Sequence, residues 1–153
     1  MNDKVKTILI MTVLIVGVLI ARQTQLLECV SESLRGIRYI LVWKGVQFAR
    51  GDVIFIKNHK INTIKQTHFA KRVLGLPGDL ISRNKDVLSI GSYRLPLLKH
   101  TKDGQPLTPL SISCVPQDHV FVAGDHPRSF DSRYEEFGLV PIEKIWGRGI
   151  GSW

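Results

Sequence analysis

From Thr7 to Ala21 the chain carries no charge, with Lys4 and Lys6 ahead of the run and Arg22 behind it. Only Thr12 and Gly17 interrupt the apolar side chains between Ile8 and Ala21. A helix that is apolar all round has no face to turn to water, so this segment does not fit the surface of a small domain. It reads either as a membrane span or as a secretory leader. A spanning helix has roughly 17–25 residues, which makes the run short for a span. Snorkelling by Lys6 and Arg22, with local bilayer thinning, accommodates it. A leader would be followed by a small-x-small cleavage site. Ala21 is instead preceded two residues back by Leu19 and followed by Arg22-Gln23-Thr24. The expectation is an uncleaved anchor over residues 7–25, a short tail over 1–6 and one domain over 26–153, a size that suits a single small domain; the flanking charges do not set its orientation.

Beyond the anchor, helical periodicity largely disappears. Short runs rich in β-branched and aromatic residues recur between Gly, Pro, Asn and Asp. Tyr39–Trp43, Asp52–Lys57, Thr67–Leu74, Leu80–Ser82, Val87–Ile90, His119–Ala123 and Lys144–Ile150 read as strands. Asn84-Lys85-Asp86 and Gly104-Gln105 read as turns. The stretch from Leu95 to Pro116 is mixed in polarity and reads as an irregular excursion. The predicted fold is mainly β: a small antiparallel, barrel-like domain behind one N-terminal transmembrane helix.

One of these strands carries a lysine. In Phe69-Ala70-Lys71-Arg72-Val73-Leu74, side chains alternate between faces, so Phe69, Lys71 and Val73 share one face. The strand runs into Pro77-Gly78, which suits the central positions of a type II turn. A lysine between Phe and Val on a core-facing surface is desolvated, which lowers its pKa and makes it a candidate general base. A second segment, Gly124-Asp125-His126-Pro127-Arg128-Ser129-Phe130-Asp131-Ser132-Arg133-Tyr134, is a polar loop after an apolar strand. Asp131 and Arg133 lie on one side of it if it is extended, placed to form an ion pair that holds the loop.

Together these two segments resemble the type I signal peptidases, membrane-bound serine peptidases with a Ser/Lys dyad. Ser129-Phe130-Asp131-Ser132-Arg133-Tyr134, then Gly138-Leu139-Val140-Pro141, is most similar to the conjugative-transfer signal peptidases of the TraF type. The closing Gly147-Arg148-Gly149-Ile150-Gly151-Ser152-Trp153 fits the same family, and the resemblance spans nearly the whole chain. It implies a nucleophilic serine shortly after the anchor, where the chain reads Cys29-Val30-Ser31-Glu32-Ser33-Leu34-Arg35-Gly36-Ile37-Arg38-Tyr39. The family pattern is Ser/Thr-x-Ser-Leu/Met-Pro-x-Gly-x-Tyr. Ser33 takes the nucleophile position, and Ser31 the position whose hydroxyl helps form the oxyanion hole. Arg35 stands where proline is expected, and the glycine comes one residue early, at Gly36. Ser31 is the alternative nucleophile if the loop shifts.

On this resemblance Ser33 attacks a scissile carbonyl, Lys71 takes its proton and Ser129 orients Lys71. Asp131 and Arg133 support the site from behind, since a full charge on Asp131 beside Lys71 would raise the lysine pKa. The implied substrate is an exported protein or pilin precursor, bound extended along a strand edge, with Ile40, Leu41, Ile54 and Ile56 as neighbours of its side-chain pockets. The implied location is the plasma (inner) membrane, with the catalytic domain on the outer, periplasmic face.

No cofactor and no metal is expected: the five histidines lack a metal-ligand spacing, and the two cysteines, Cys29 and Cys114, are too few for a Cys-rich zinc site. The cysteines could bridge in an oxidising compartment, or be a membrane-proximal thiol and a buried apolar one. The net charge of +8 points to anionic partners. With no nucleic-acid-binding motif in view, a membrane surface fits better than nucleic acid, which is not an expected partner, and a solvated basic surface with no dedicated partner fits as well. The alternatives to a peptidase are a catalytically inactive structural relative in a transfer apparatus and a basic β-barrel that binds nucleic acid.

Overall fold

The computed structural model describes residues 2–29, 33–45, 47–61 and 67–152. Helix α1 runs Asp3–Gln23, 21 residues, with none of its side chains buried. At about 1.5 Å per residue it reaches about 30 Å, the thickness of a bilayer's hydrocarbon core. It is longer than the uncharged run because both ends are helix-compatible. Asn2 caps the first turn by accepting the Lys4 N–H, and lysine and arginine are good helix formers. Thr12, polar among apolar neighbours, donates its hydroxyl to the Ile8 carbonyl at 2.9 Å, so it leaves no unmet donor in an apolar medium.

The strands are β1 (Thr24–Glu28), β2 (Tyr39–Lys44), β3 (Val53–Ile56), β4 (Phe69–Gly75), β5 (Ile81–Asn84), β6 (Val87–Ile90), β7 (Tyr93–Pro96), β8 (His119–Ala123), β9 (Val140–Pro141) and β10 (Ile145–Ser152). A seven-stranded sheet is ordered β1-β2-β10-β3-β4-β8-β9, and a three-stranded sheet β5-β6-β7. Each of these pairings is antiparallel. The fold is thus mainly β and antiparallel, with one N-terminal helix long and apolar enough to cross a membrane.

Three apolar clusters hold it together. Ile54, Ile56, Phe69, Val73, Val120 and Val122 pack on one face of the large sheet. Leu74, Phe121 and Ala123 on the other face meet Ile81, Leu88 and Ile90 of the small sheet. Gly75 sits where the sheets approach: a Cβ there would collide with the Ile90 side chain. Leu34, Ile40 and Val42 form the third cluster, beside β1 and β2.

Three of the ten strands are not predicted from the sequence, among them the two-residue β9, which forms by pairing with β8. Thr24–Glu28 follows α1 without a break and becomes a strand by pairing along β2. Tyr93–Pro96 becomes one by pairing with β6, its proline at the end of an edge strand where no ladder donor is needed. The strand expected at Leu80–Ser82 begins at Ile81, because Leu80 is exposed and bridges only Cys114. Cys114 is itself exposed rather than buried, Cys29 is half-buried, and both are free thiols.

Candidate active site

Strand β4 places Lys71 where alternation predicts. Phe69 and Val73 flank it on the same face, and Ile54 stands opposite it across the β3 register. The side chain is buried, with 4% of the residue exposed. Burial lowers its pKa to about 8; the Asp131 carboxylate pulls it upward and the Arg133 charge downward, and burial wins. Beyond Gly75 the chain turns through Leu76-Pro77-Gly78-Asp79, with Gly78 at φ 86° and the Asp79 N–H bonded to the Leu76 carbonyl, as a type II turn requires.

Two hydroxyls meet the Lys71 amine. Nζ donates to Ser129 Oγ at 2.8 Å and lies 3.1 Å from Ser33 Oγ. Ser33 is held there through its own carbonyl oxygen, which accepts the N–H of Asp125 at 2.6 Å and of His126 at 3.3 Å. The residue before them has to be glycine: a Cβ on Gly124 would fall 2.6 Å from the Ser33 carbonyl oxygen and collide with Ser129 Oγ. The next turn also accounts for the departure from the family pattern. Ile37 N–H bonds to the Leu34 carbonyl, and Gly36 takes φ 70°. Arg35, in the place of a proline, keeps a backbone N–H that helps hold the Asp125 carboxyl low, a group a proline lacks.

Asp125 and Arg72 were not foreseen. Arg72 follows Lys71 and therefore points to the opposite face, where it grips Asp125 through two bonds of 2.8 and 2.9 Å. That guanidinium holds the Asp125 carboxyl below the usual carboxylate range. One strand thus carries the amine on one face and, on the other, the arginine that fastens the Ser33 turn. The alternation of β4 was the signal for Arg72; nothing local marked its partner.

The segment after β8 is built around Arg133. Its guanidinium donates to both Asp131 oxygens, at 2.8 and 2.9 Å, and to the carbonyls of Ser129, Pro127 and Pro96. Asp131 and Arg133 are 0% and 1% exposed. Asp131 also accepts the Gly124 N–H at 2.9 Å, so the ion pair fixes both Ser129 and the loop that holds Ser33. Ser31, the candidate for the oxyanion hole, lies outside the described residues.

Beside Ser33 and Lys71 opens a cleft of about 320 Å³. Its walls include Phe69, Leu98, Pro106, Leu107 and Phe130, and one side is the excursion after β7 that turns at Gly104. The Tyr134 hydroxyl accepts the Leu98 N–H and pins that excursion to the Arg133 segment. Ile40, Ile54 and Ile56 do not line this cleft; they face inward from β2 and β3 and are core residues, and Leu41 is not in its wall. Strand β8 ends opposite Arg72, so among the described residues Phe69–Lys71 are paired only on the β3 side and leave a free edge toward the cleft. No group of three or more His, Cys, Asp or Glu suited to a metal ion occurs among the described residues.

A family model described as signal peptidase, peptidase S26, matches residues 3–153. The chain belongs to that family. Signal peptidase I U of Bacillus subtilis (strain 168) is 33% identical over 150 residues, covering 85% of this chain and 78% of the relative. Signal peptidase I P of Bacillus subtilis subsp. natto is 34% identical over 109 residues, covering 65% of this chain and 56% of the relative. A signal peptidase I of Bacillus licheniformis is 30% identical over 110 residues, 66% and 56%. The chain therefore spans little more than half the length of several curated signal peptidases that it matches. A crystal structure of a signal peptidase I from Enterococcus faecalis V583 is 28% identical, covers 67% of this chain and 97% of that one, and superposes with a TM-score of 0.45.

Proposed function

We propose that this signal peptidase relative is an active serine endopeptidase, anchored by α1, that cleaves precursors of exported proteins with Ser33 and Lys71. The observation that carries the reading is the buried Lys71 amine 3.1 Å from Ser33 Oγ. Ser33 Oγ adds to the scissile carbonyl as neutral Lys71 accepts its proton, and the ammonium then protonates the leaving amine. Water opens the acyl-enzyme with Lys71 again as base. Ser129 fixes the direction of Nζ, and the Ser33 N–H is a donor for the oxyanion, with Ser31 as its companion. The precursor pairs as an extended strand with the free edge at Phe69–Lys71, its side chains entering the cleft. The domain from Thr24 onward faces the outer side of the plasma membrane, the periplasm in a cell with two membranes.

The test is cleavage of an exported precursor by the full chain in detergent or vesicles. Ser33→Ala and Lys71→Met each abolish cleavage while the fold is kept. Full activity in Ser33→Ala, with loss in Ser31→Ala, would move the nucleophile to Ser31; activity in Lys71→Met would remove the dyad. A narrower reading, maturation of a conjugative pilin, is favoured by the wording of Ser129–Tyr134 and Gly138–Pro141. Preference for a pilin precursor over a secretory one in a competition assay supports it, and the reverse preference rejects it.

A further inference from the structure

Lys44 Nζ donates to the Arg22 carbonyl at 2.5 Å and so ties the end of β2 to the last turn of α1. Helix and domain have no linker between them, for α1 ends at Gln23 and β1 begins at Thr24. The end of β2 therefore lies at the level where the apolar helix stops. At this level the Lys44 ammonium stands 5.2 Å from the centre of the Trp146 ring, and Lys57 Nζ comes within 3.6 Å of it. Trp146 is half-buried and packs edge-on against Phe55 at 5.8 Å. Among the described residues neither ammonium has a carboxylate within 4.0 Å. Neither lysine belongs to the Ser33–Lys71 site.

We propose that Lys44, Lys57 and Trp146 form a binding site for the phosphodiester headgroup of an anionic phospholipid, in the leaflet that α1 enters from the domain. The inference rests on the reading of α1 as a membrane anchor. Each ammonium has three donors. Lys44 spends one on Arg22, and the ring attraction holds both lysines in place while the rest of their protons remain for a phosphate. Tryptophan suits this depth because its apolar body and polar N–H match the boundary between hydrocarbon and headgroups. Basic side chains at the end of a span attract anionic lipid over neutral lipid. Strand pairing does not require either lysine to lean over the ring: Lys44 closes β2 and Lys57 follows the end of β3, where a long side chain is free to point into water.

The experiment uses the full chain with Trp43→Phe and Trp153→Phe, which leaves Trp146 as the single tryptophan reporter. It is reconstituted in phosphatidylcholine vesicles containing either brominated phosphatidylglycerol or brominated phosphatidylcholine, and quenching gives the relative binding constant at Trp146. The expected result is a preference for phosphatidylglycerol that falls about fivefold for each of Lys44→Gln and Lys57→Gln. Removing two charges from the small sheet, with Arg83→Gln and Lys85→Gln, leaves the preference unchanged. Equal quenching by the two lipids, or a preference indifferent to Lys44 and Lys57, overturns the proposal. So does loss of the preference on adding millimolar glycerol phosphate, which would make the site one for a soluble phosphate. A carbonate wash separates the two readings: a chain that washes off was never anchored, whereas a chain that stays and shows no lipid preference refutes only the headgroup site.

Discussion

Lys71 and Arg133 are both cations enclosed beside Asp131, and their surroundings treat them in opposite ways. Arg133 is met by a carboxylate on two sides and by three backbone carbonyls. Lys71 is met by two hydroxyls and by Phe69, Val73 and Ile54. Because Arg133 takes up the charge of Asp131, that carboxylate is not free to hold Lys71 as an ammonium. Arginine suits the paired position because it stays charged and has donors enough for five acceptors, and lysine suits the unpaired one because its proton can be lost. The contrast teaches that burial alone does not define a site: a buried cation with its charge fully matched keeps its proton, and one left to burial gives it up more readily.

The largest way to break this contrast is to remove the unpaired cation. Lys71→Met should lower the rate of precursor cleavage by about 10⁴-fold or more while the protein stays folded. Below pH 8 its thermal midpoint should match or exceed that of the parent, since a charged amine no longer has to be buried. Single-turnover cleavage and thermal unfolding on one preparation test both halves, and a large fall in the midpoint would mean that Lys71 is scaffold after all. Removing the paired cation should do the converse. Arg133→Met strands Asp131 and should cost about 3–5 kcal/mol of stability in chemical unfolding, with activity lost through the fold. Restoring much of that stability by adding Asp131→Asn would show that the unmatched charge is the cause.

The pH dependence sharpens the comparison. Cleavage should rise about tenfold per pH unit up to about pH 8 and then level off, as Lys71 becomes neutral. Stability carries the same signature. Below pH 8 the lysine is protonated both folded and unfolded, and the burial penalty is complete. Between about 8 and the unfolded value near 10.4 only the unfolded chain holds the proton, so stability rises with pH, by about 3 kcal/mol at most. Subtracting the unfolding profile of Lys71→Met isolates that rise, and a flat difference would rule out a depressed pKa. The smallest effect is geometric. Gly124→Ala keeps both cations and every charge, yet pushes the Ser33 carbonyl and Ser129 apart, and should slow cleavage by about 10²-fold with little change in the pH midpoint. A midpoint that moved would mean that Gly124 acts on Lys71 rather than on Ser33.

Legibility followed the range of the physics involved. The face on which Lys71 lies, the Pro77-Gly78 turn and the His119–Ala123 strand are set by neighbours within a few residues, and they were readable. So was the Asp131–Arg133 pair, whose partners stand two positions apart, although they meet in a turn closed by the Tyr134 N–H on the Asp131 carbonyl and not along an extended segment. The Asp125–Arg72 clamp was not, because its partners are 53 residues apart and nothing near either one announces the other. The same holds for β1, whose Thr24-Gln25-Leu26-Leu27-Glu28 carries no strand signal of its own and becomes a strand only where β2 offers a ladder. Ile40, Ile54 and Ile56 show the opposite: apolar residues near a site in sequence suggest a pocket, but alternation turns them into the core.

By itself the amino-acid order determined an apolar helix, an antiparallel β domain and a lysine too apolar in its setting to remain an ordinary one, because hydrophobic periodicity and turn chemistry act locally. Only the tertiary structure decided that Ser33 meets that lysine. Their contact depends on Gly124 admitting one loop against another, on Arg35 giving an N–H where a proline has none, and on Arg72 reaching across from β4 to hold Asp125. Each is a close approach between distant segments, and such approaches are settled by packing, which no local pattern encodes.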